Sequence, residues 1–313
     1  AGPSVTSSWP SVETTPTPEP STAPTAEPST APDIQPSTSP AQPSSALAGT
    51  RYYLEITDSE ARIHVVRSGQ HGVNVLPLGK GECVANSMTV SPDGKRLAWV
   101  KGTDGVGTLV TSRIDGSRQR TLATGVVCLG PRPLVWQGGD LMMVNQGTRK
   151  VLVDMAAGKP FEGDPGTETD QAWSADGRFL AALEAVEDGG RPYVSGPSTF
   201  HRYQYEPPKD EAVKWDGWQA RSVSMDGRYV SIGWVGTDPS RQDGSFTVVD
   251  TTTSKVVELP TSGEVESLQF AADGKVLVRQ ATGIAVLDAR FRQIGEVAEP
   301  GDVRNLTLLA YVP

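Results

Sequence analysis

SPDGKRLAWV, running from Ser91 to Val100, returns as SADGRFLAAL from Ser174, as SMDGRYVSIG from Ser224 and as AADGKVLVRQ from Ala271. Each copy holds an Asp-Gly pair followed by a basic residue: Asp93-Gly94-Lys95, Asp176-Gly177-Arg178, Asp226-Gly227-Arg228 and Asp273-Gly274-Lys275. An apolar residue stands three before each Asp (Val90, Trp173, Val223, Phe270) and another four after it (Leu97, Leu180, Val230, Leu277). Glycine takes the positive φ of a tight hairpin turn, which a Cβ would disfavour. Pro92 suits the first corner of such a turn. The flanking apolar residues alternate as half-buried strands require. Each copy therefore reads as two antiparallel strands joined at a glycine turn.

From Asp93 to Asp176 is 83 residues, then 50 to Asp226 and 47 to Asp273. The first interval is about two periods, with a degenerate copy at PLVWQGGDLMMV and its turn at Gly138-Gly139. The second half of each unit also repeats. An apolar residue followed by Asp ends a third strand at Ile114-Asp115, Val153-Asp154, Val249-Asp250 and Leu287-Asp288, and a fourth strand follows, as at Lys255 to Leu259. A period of about 40–50 residues with four strands per unit is the signature of a β-propeller. Five units lie between Cys83 and about Pro300. The remnants supply a sixth: RYYLEIT, RIHVV and GVNVLPL near Arg51 to Lys80, and LTLLAYV at Leu306 to Val312. The expectation is an all-β, six-bladed propeller over residues 50–313, whose C-terminal strand closes the first blade. Closure removes sheet edges that would invite aggregation, and a monomer is expected.

The copies resemble the short propeller repeat of the TolB-like family, also found in the propellers of prolyl oligopeptidases. The resemblance covers most of residues 51–313 and implies the fold. It does not carry a function, because function belongs to sites grafted on a fold. TolB has an N-terminal α/β domain that helps dock its partner lipoprotein; residues 1–49 hold nothing of that kind. Prolyl oligopeptidases carry a hydrolase domain with a Gly-x-Ser-x-Gly elbow, and that motif does not occur in this sequence.

Residues 1–49 are mostly Pro, Ser, Thr, Ala and Glu, and EPSTAP occurs twice, from Glu19 and from Glu27. Such a segment buries too little apolar area to offset its ordering entropy. Proline at this density favours extended polyproline II, so a disordered stalk or linker is expected, able to hold a domain on the order of 100 Å from an anchor. The composition also suits O-glycosylation. Stalks of this kind connect an envelope anchor to an exterior domain, which points to an extracytoplasmic location, secreted or tethered outside a bacterial membrane. Any membrane attachment is expected through an anchor preceding Ala1.

The 313 residues carry a formal charge of −9. No Lys/Arg-rich run is present, so neither nucleic acid nor an anionic lipid surface is an expected partner. Cys83 and Cys128 are the two cysteines. Each lies ten residues before a blade turn, at Asp93 and at Gly138, so they hold equivalent places in neighbouring blades. A disulfide is the favoured reading and two buried free thiols the alternative. Neither CxxC nor a Cys/His cluster is present, and no metal or cofactor is expected.

His64, His71 and His201 read as ordinary strand and turn residues. Ser91, Ser174 and Ser224, together with the four turn aspartates, recur at one repeat position, which makes them turn formers before nucleophiles or ligands. Asp58, Glu60, Glu187 and Asp188 could hold calcium, but no pattern singles them out. The segment RPYVSGPSTFHRYQYEPPKDEAVKWDGW in the second half of blade four stands apart. It gathers Tyr193, Phe200, Arg202, Tyr203, Tyr205, Trp215 and Trp218 in a chain that is 6% aromatic. Tyr, Trp and Arg are favoured at binding hot spots. The plainer alternative is a strand pair whose residues alternate in and out. The expected function is a non-catalytic module that binds a protein or an envelope polysaccharide. The alternative is a propeller enzyme, a hydrolase or lyase, with its active site in the central channel.

Overall fold

The computed structural model describes residues 47–313, apart from 59, 68–75, 79–80, 131, 164, 167, 187–188, 210–215 and 236–244. The expected stalk lies almost wholly outside the described residues, as do His71, Glu187, Asp188 and Trp215.

The described residues form six four-stranded antiparallel units. The first takes β1 (Thr50–Ile56), β2 (Ala61–Arg67), β3 (Leu76–Pro77) and the C-terminal β24 (Thr307–Val312), in the order β24-β1-β2-β3. Thr50 pairs with Val312 and Leu54 with Thr307, so the two ends of the described chain share one sheet. The second unit is β4 (Thr89–Val90), β5 (Arg96–Thr103), β6 (Val106–Arg113) and β7 (Arg120–Val127). The third is β8 (Leu134–Gln137), β9 (Leu141–Gln146), β10 (Arg149–Asp154) and β11 (Lys159–Pro160). One pair, Val126 with Gln146, links these two into a continuous sheet. The fourth is β12 (Thr169–Trp173), β13 (Leu180–Val186), β14 (Gly189–Gly196) and β15 (Thr199–Arg202). The fifth is β16 (Gly217–Val223), β17 (Tyr229–Val235), β18 (Ser245–Asp250) and β19 (Lys255–Val256). The sixth is β20 (Ser267–Phe270), β21 (Val276–Gln280), β22 (Gly283–Leu287) and β23 (Gln293–Val297).

The leading strands of successive units adjoin: β24 with β4, β8 with β12, β12 with β16, β16 with β20, and β20 with β24. Between β4 and β8, Trp136 Nε1 donates to Thr89 Oγ1 at 3.2 Å. These contacts set the leading strands around one axis, the architecture of a β-propeller. The core consists of apolar layers between units, such as Val100, Leu109, Val126 and Met142 between the second and third, and Val194, Val223, Val230 and Ile232 between the fourth and fifth.

The repeated turn works through its side chains. Ser91, Ser174 and Ser224 each donate from Oγ to the Asp two residues on, at 2.6 Å in all three copies. The same hydroxyls accept from the backbone N–H five residues on, at Arg96, Phe179 and Tyr229. Each hydroxyl thus pins both ends of its hairpin. The turn glycine has positive φ, for instance +68° at Gly94. The Asp that ends a third strand caps the next turn in the same way: Asp115, Asp154, Asp250 and Asp288 each accept from the backbone N–H two residues on.

Cys83 and Cys128 are disulfide-bonded, with Cα atoms 5.2 Å apart, and both are fully buried. Cys83 sits in a short helix absent from the sequence reading, α1 (Glu82–Ser87). Ser87 Oγ donates back to the Cys83 carbonyl and accepts from Val100 N–H at 2.7 Å, tying α1 to β5.

Candidate functional site

The aromatic segment divides into two clusters on different faces of the fourth unit. In β14 and β15, Tyr193 pairs with Arg202 and Ser195 with Phe200, which sets Tyr193, Phe200 and Arg202 on one face. The Tyr193 and Phe200 rings stack with centroids 5.1 Å apart and planes 24° from parallel. The Arg202 guanidinium lies 5.0 Å from the Phe200 ring centroid. It is held there by Glu184, which accepts from Arg202 Nε at 3.1 Å. Tyr193 is buried, whereas Phe200 is 51% exposed on the outermost strand. Burial and the nearby carboxylates of Glu168 and Glu184 push the Tyr193 phenol up to about 12.

The second cluster seals the fourth unit against the fifth. Tyr203 is 3% exposed and belongs to the Val194–Val223–Ile232 layer. Burial raises its phenol well above the ordinary tyrosine range. Tyr205 and Trp218 are half-buried, meet edge to face at 5.1 Å, and rest on the same layer. Trp218 lies in β16, the leading strand of the fifth unit, and not in the fourth blade to which the sequence reading gave it. Of the named residues described, then, Phe200 and Arg202 face solvent, Tyr193 supports them from beneath, and Tyr203 is core.

A second polar constellation, invisible in the sequence, lies along the leading strands β12 and β16 and the segment before β8. Arg132 precedes β8 in the third unit, yet its Nη1 donates to the Ala220 carbonyl of β16, in the fifth, at 3.0 Å. The side chain therefore reaches past the intervening leading strand, β12. The strand ladder slips between Ala220 and Ser222. From β12 comes Asp170, which is exposed. With its amide oxygen and nitrogen exchanged, the orientation that satisfies both ends, Gln219 donates to Asp170 Oδ1 at 3.1 Å and accepts from Arg221 Nη1 at 3.0 Å. Arg132 and Asp170 have φ of +59° and +53°. Left-handed non-glycine residues are uncommon and gather at functional sites.

A smaller feature breaks the repeat. A Cβ on Gly177 would meet Gly138, and one on Gly227 would meet Phe179, so these turns pack on the preceding unit; at Gly274 nothing lies within 4 Å. There an open, mostly apolar pocket of about 130 Å³ is lined by Met225, Asp226, Tyr229, Phe270, Lys275 and Ala289 among others.

The sequence matches no protein-family model and no curated protein. Among solved structures the chain is similar to TolB from Acinetobacter baumannii, at 14% identity and a TM-score of 0.47, over 79% of this chain and 63% of that one. The chain thus spans less than two thirds of that protein. It is also similar to a chain of a nidogen/laminin complex, at 9% identity and a TM-score of 0.47, over 84% of this chain and 98% of that one. A third is the β-propeller domain of the Trilobed protease from Pyrococcus furiosus, at 12% identity and a TM-score of 0.43, over 80% and 85%.

Proposed function

We propose that the protein is a binding module working outside the cytoplasm, and that it engages a protein partner through the outer face of the fourth unit without catalysing a reaction. The observation that carries this is Phe200, exposed yet immobilised between the Tyr193 ring and the Arg202 guanidinium. Rigid aromatic and arginine contacts cost little ordering entropy on association, which is what makes them hot spots. The Cys83–Cys128 disulfide supports an oxidising compartment. The repeat serines and aspartates are engaged in turns, which leaves them architectural. The test is capture from the source organism's envelope fraction with the wild-type protein against Phe200→Ala and Arg202→Ala. Loss of one specific protein in both variants, with unchanged melting, supports the reading. Retention of it in both, or capture of glycan alone, refutes it.

A further inference from the structure

Three of the four repeat glycines press on the preceding unit: a Cβ on Gly94 would meet Val312, one on Gly177 would meet Gly138, and one on Gly227 would meet the Phe179 ring. At Gly274 nothing lies within 4 Å. Tyr229 stands where Phe179 stands in the repeat, two residues after its turn glycine. Its ring goes elsewhere. It meets Phe291 edge to face at 4.8 Å, and Phe291 in turn lies 6.5 Å from Phe270. Phe291 is buried and holds a φ of +60°, which is rare for a bulky residue. The space that a ring fills at Gly227 is, at Gly274, a pocket of about 130 Å³ walled by Met225, Tyr229, Phe270, Ala271 and Ala289. The charges around it do not cancel. Lys275 Nζ donates to Asp273, and Arg228 is bonded to Asp250 at 2.7 Å. Asp226 is exposed at the pocket rim and accepts from Ser224 Oγ and the Arg228 N–H, but it has no ion pair among the described residues.

We propose that this pocket takes one aromatic side chain of a partner protein, with a lysine or arginine next to that residue resting on Asp226. Size decides the first part. An apolar cavity of about 150 Å³ holds a single benzene ring, whereas sites for whole small molecules run from about 300 to 1,000 Å³. The lining suits a ring. Tyr229 and Phe270 offer aromatic faces and edges, and the Met225 thioether adapts its shape and contacts rings favourably. Charge decides the second part. Asp226 attracts a cation, and a chain of net −9 draws in a basic partner. Residues 1–50 of the chain hold no Lys, Arg or His, so that segment lacks the cation the rim calls for. A second copy, as acidic as the first, is disfavoured by like charge. The pocket uses the fifth and sixth units and none of the Phe200 contacts, so it stands or falls independently of the fourth-unit face.

Ligand-observed NMR titration of the whole protein at constant ionic strength tests this, using three peptides acetylated at the N-terminus and amidated at the C-terminus: Gly-Phe-Lys-Gly, Gly-Ala-Lys-Gly and Gly-Phe-Glu-Gly. The expected result is saturable binding of the first. The alanine peptide should bind about ten-fold more weakly or worse, because a ring leaves the pocket. The glutamate peptide should bind about three-fold more weakly, the size of an exposed ion pair. Ala289→Leu fills the pocket from an exposed turn position and should weaken the Phe-Lys peptide about ten-fold. Asp226→Asn keeps the turn acceptor and should bring the lysine and glutamate peptides level. Phe200→Ala should change none of these affinities. Should Ala289→Leu or Asp226→Asn melt below wild type, the three peptides on the wild-type protein decide alone. Absence of saturable binding overturns the proposal, as does an alanine or glutamate peptide that binds as tightly as the first. So does unchanged binding in Ala289→Leu, a lysine preference that survives Asp226→Asn, or loss of binding in Phe200→Ala. Wild-type self-association abolished by Ala289→Leu in sedimentation also overturns it, by giving the pocket to a second copy.

Discussion

Arg279 Nε donates to Glu299 at 2.9 Å, with both side chains almost wholly buried where the sixth unit meets the first. The remaining nitrogens of Arg279 donate to the carbonyls of Val303, Leu306 and Arg304, and its guanidinium lies 5.6 Å from the Tyr53 ring centroid. One side chain thereby fastens the segment that leads from the sixth unit into β24. Removing one partner of a buried pair leaves the other charge uncompensated, at a typical cost of about 3–5 kcal/mol. Arg279→Met should lower stability by about that amount in urea unfolding and reduce cooperativity at the β1–β24 seam. Arg279→Met with Glu299→Leu should recover much of the loss. A single variant as stable as wild type would show that the pair does not hold the closing segment.

The disulfide closes a loop of 45 residues between equivalent points of the second and third units. In the chain-entropy model such a loop contributes about 4 kcal/mol by restricting the unfolded chain. Replacing both cysteines by serine should therefore lower stability by about 2–4 kcal/mol. It also places two hydroxyls in the apolar layer that Cys83 and Cys128 share with Val100 and Met142, so Cys→Ala at both positions should be the milder change. Unfolding midpoints with and without reductant measure the two contributions.

The hairpin code was legible because it is local. Ser91, Asp93 and Gly94 act on each other within a few residues, so spacing alone identified them as turn formers; for the aspartates that end the third strands spacing marked the strand end, and the cap on the next turn emerged only in the structure. The pairing of β1 with β24 was legible because four leftover strand patterns demanded one unit. The aromatic segment was less so. Composition gathered Tyr203 with Phe200, but alternation put one in the core and the other in solvent, and Trp218 joined the next unit. Arg132 carried no signal at all, since its acceptor lies 88 residues away. Helix α1 was missed because its six residues open after Gly81 with no side-chain cap.

Asp250 gives the fold an acid-sensitive joint. Burial raises its carboxyl, but hydrogen bonds from Arg228 and Thr252 outweigh this and hold it down at about 2. Arg228 Nη2 donates to Asp250 at 2.7 Å, and Thr252 Oγ1 donates at 2.6 Å. A carboxyl depressed on folding contributes stability that is present above its unfolded value and lost as pH falls through the folded one. The contribution should be intact at pH 5 and disappear between about pH 4 and pH 2. Asp250→Asn should flatten that part of the stability–pH curve. The same slope in wild type and variant would place the acid sensitivity elsewhere.

Phe200 and Tyr203 stand three residues apart and should behave oppositely. Tyr203 fills the layer between the fourth and fifth units and is 3% exposed, whereas Phe200 is 51% exposed. Truncating a buried aromatic ring removes transfer energy and leaves a cavity, typically costing about 3–5 kcal/mol. Tyr203→Ala should therefore lower the melting temperature sharply, and any loss of partner binding should follow from unfolding. Phe200→Ala forfeits the ring contacts with Tyr193 and Arg202 and should stay near the size usual for surface residues, about 0.5 kcal/mol. If Phe200 is an anchor, the same substitution should weaken partner binding by about 2 kcal/mol or more, roughly thirty-fold. Melting curves and partner titrations on both variants separate the two roles. Equal losses of stability would make Phe200 a packing residue and remove the basis for the fourth-unit face.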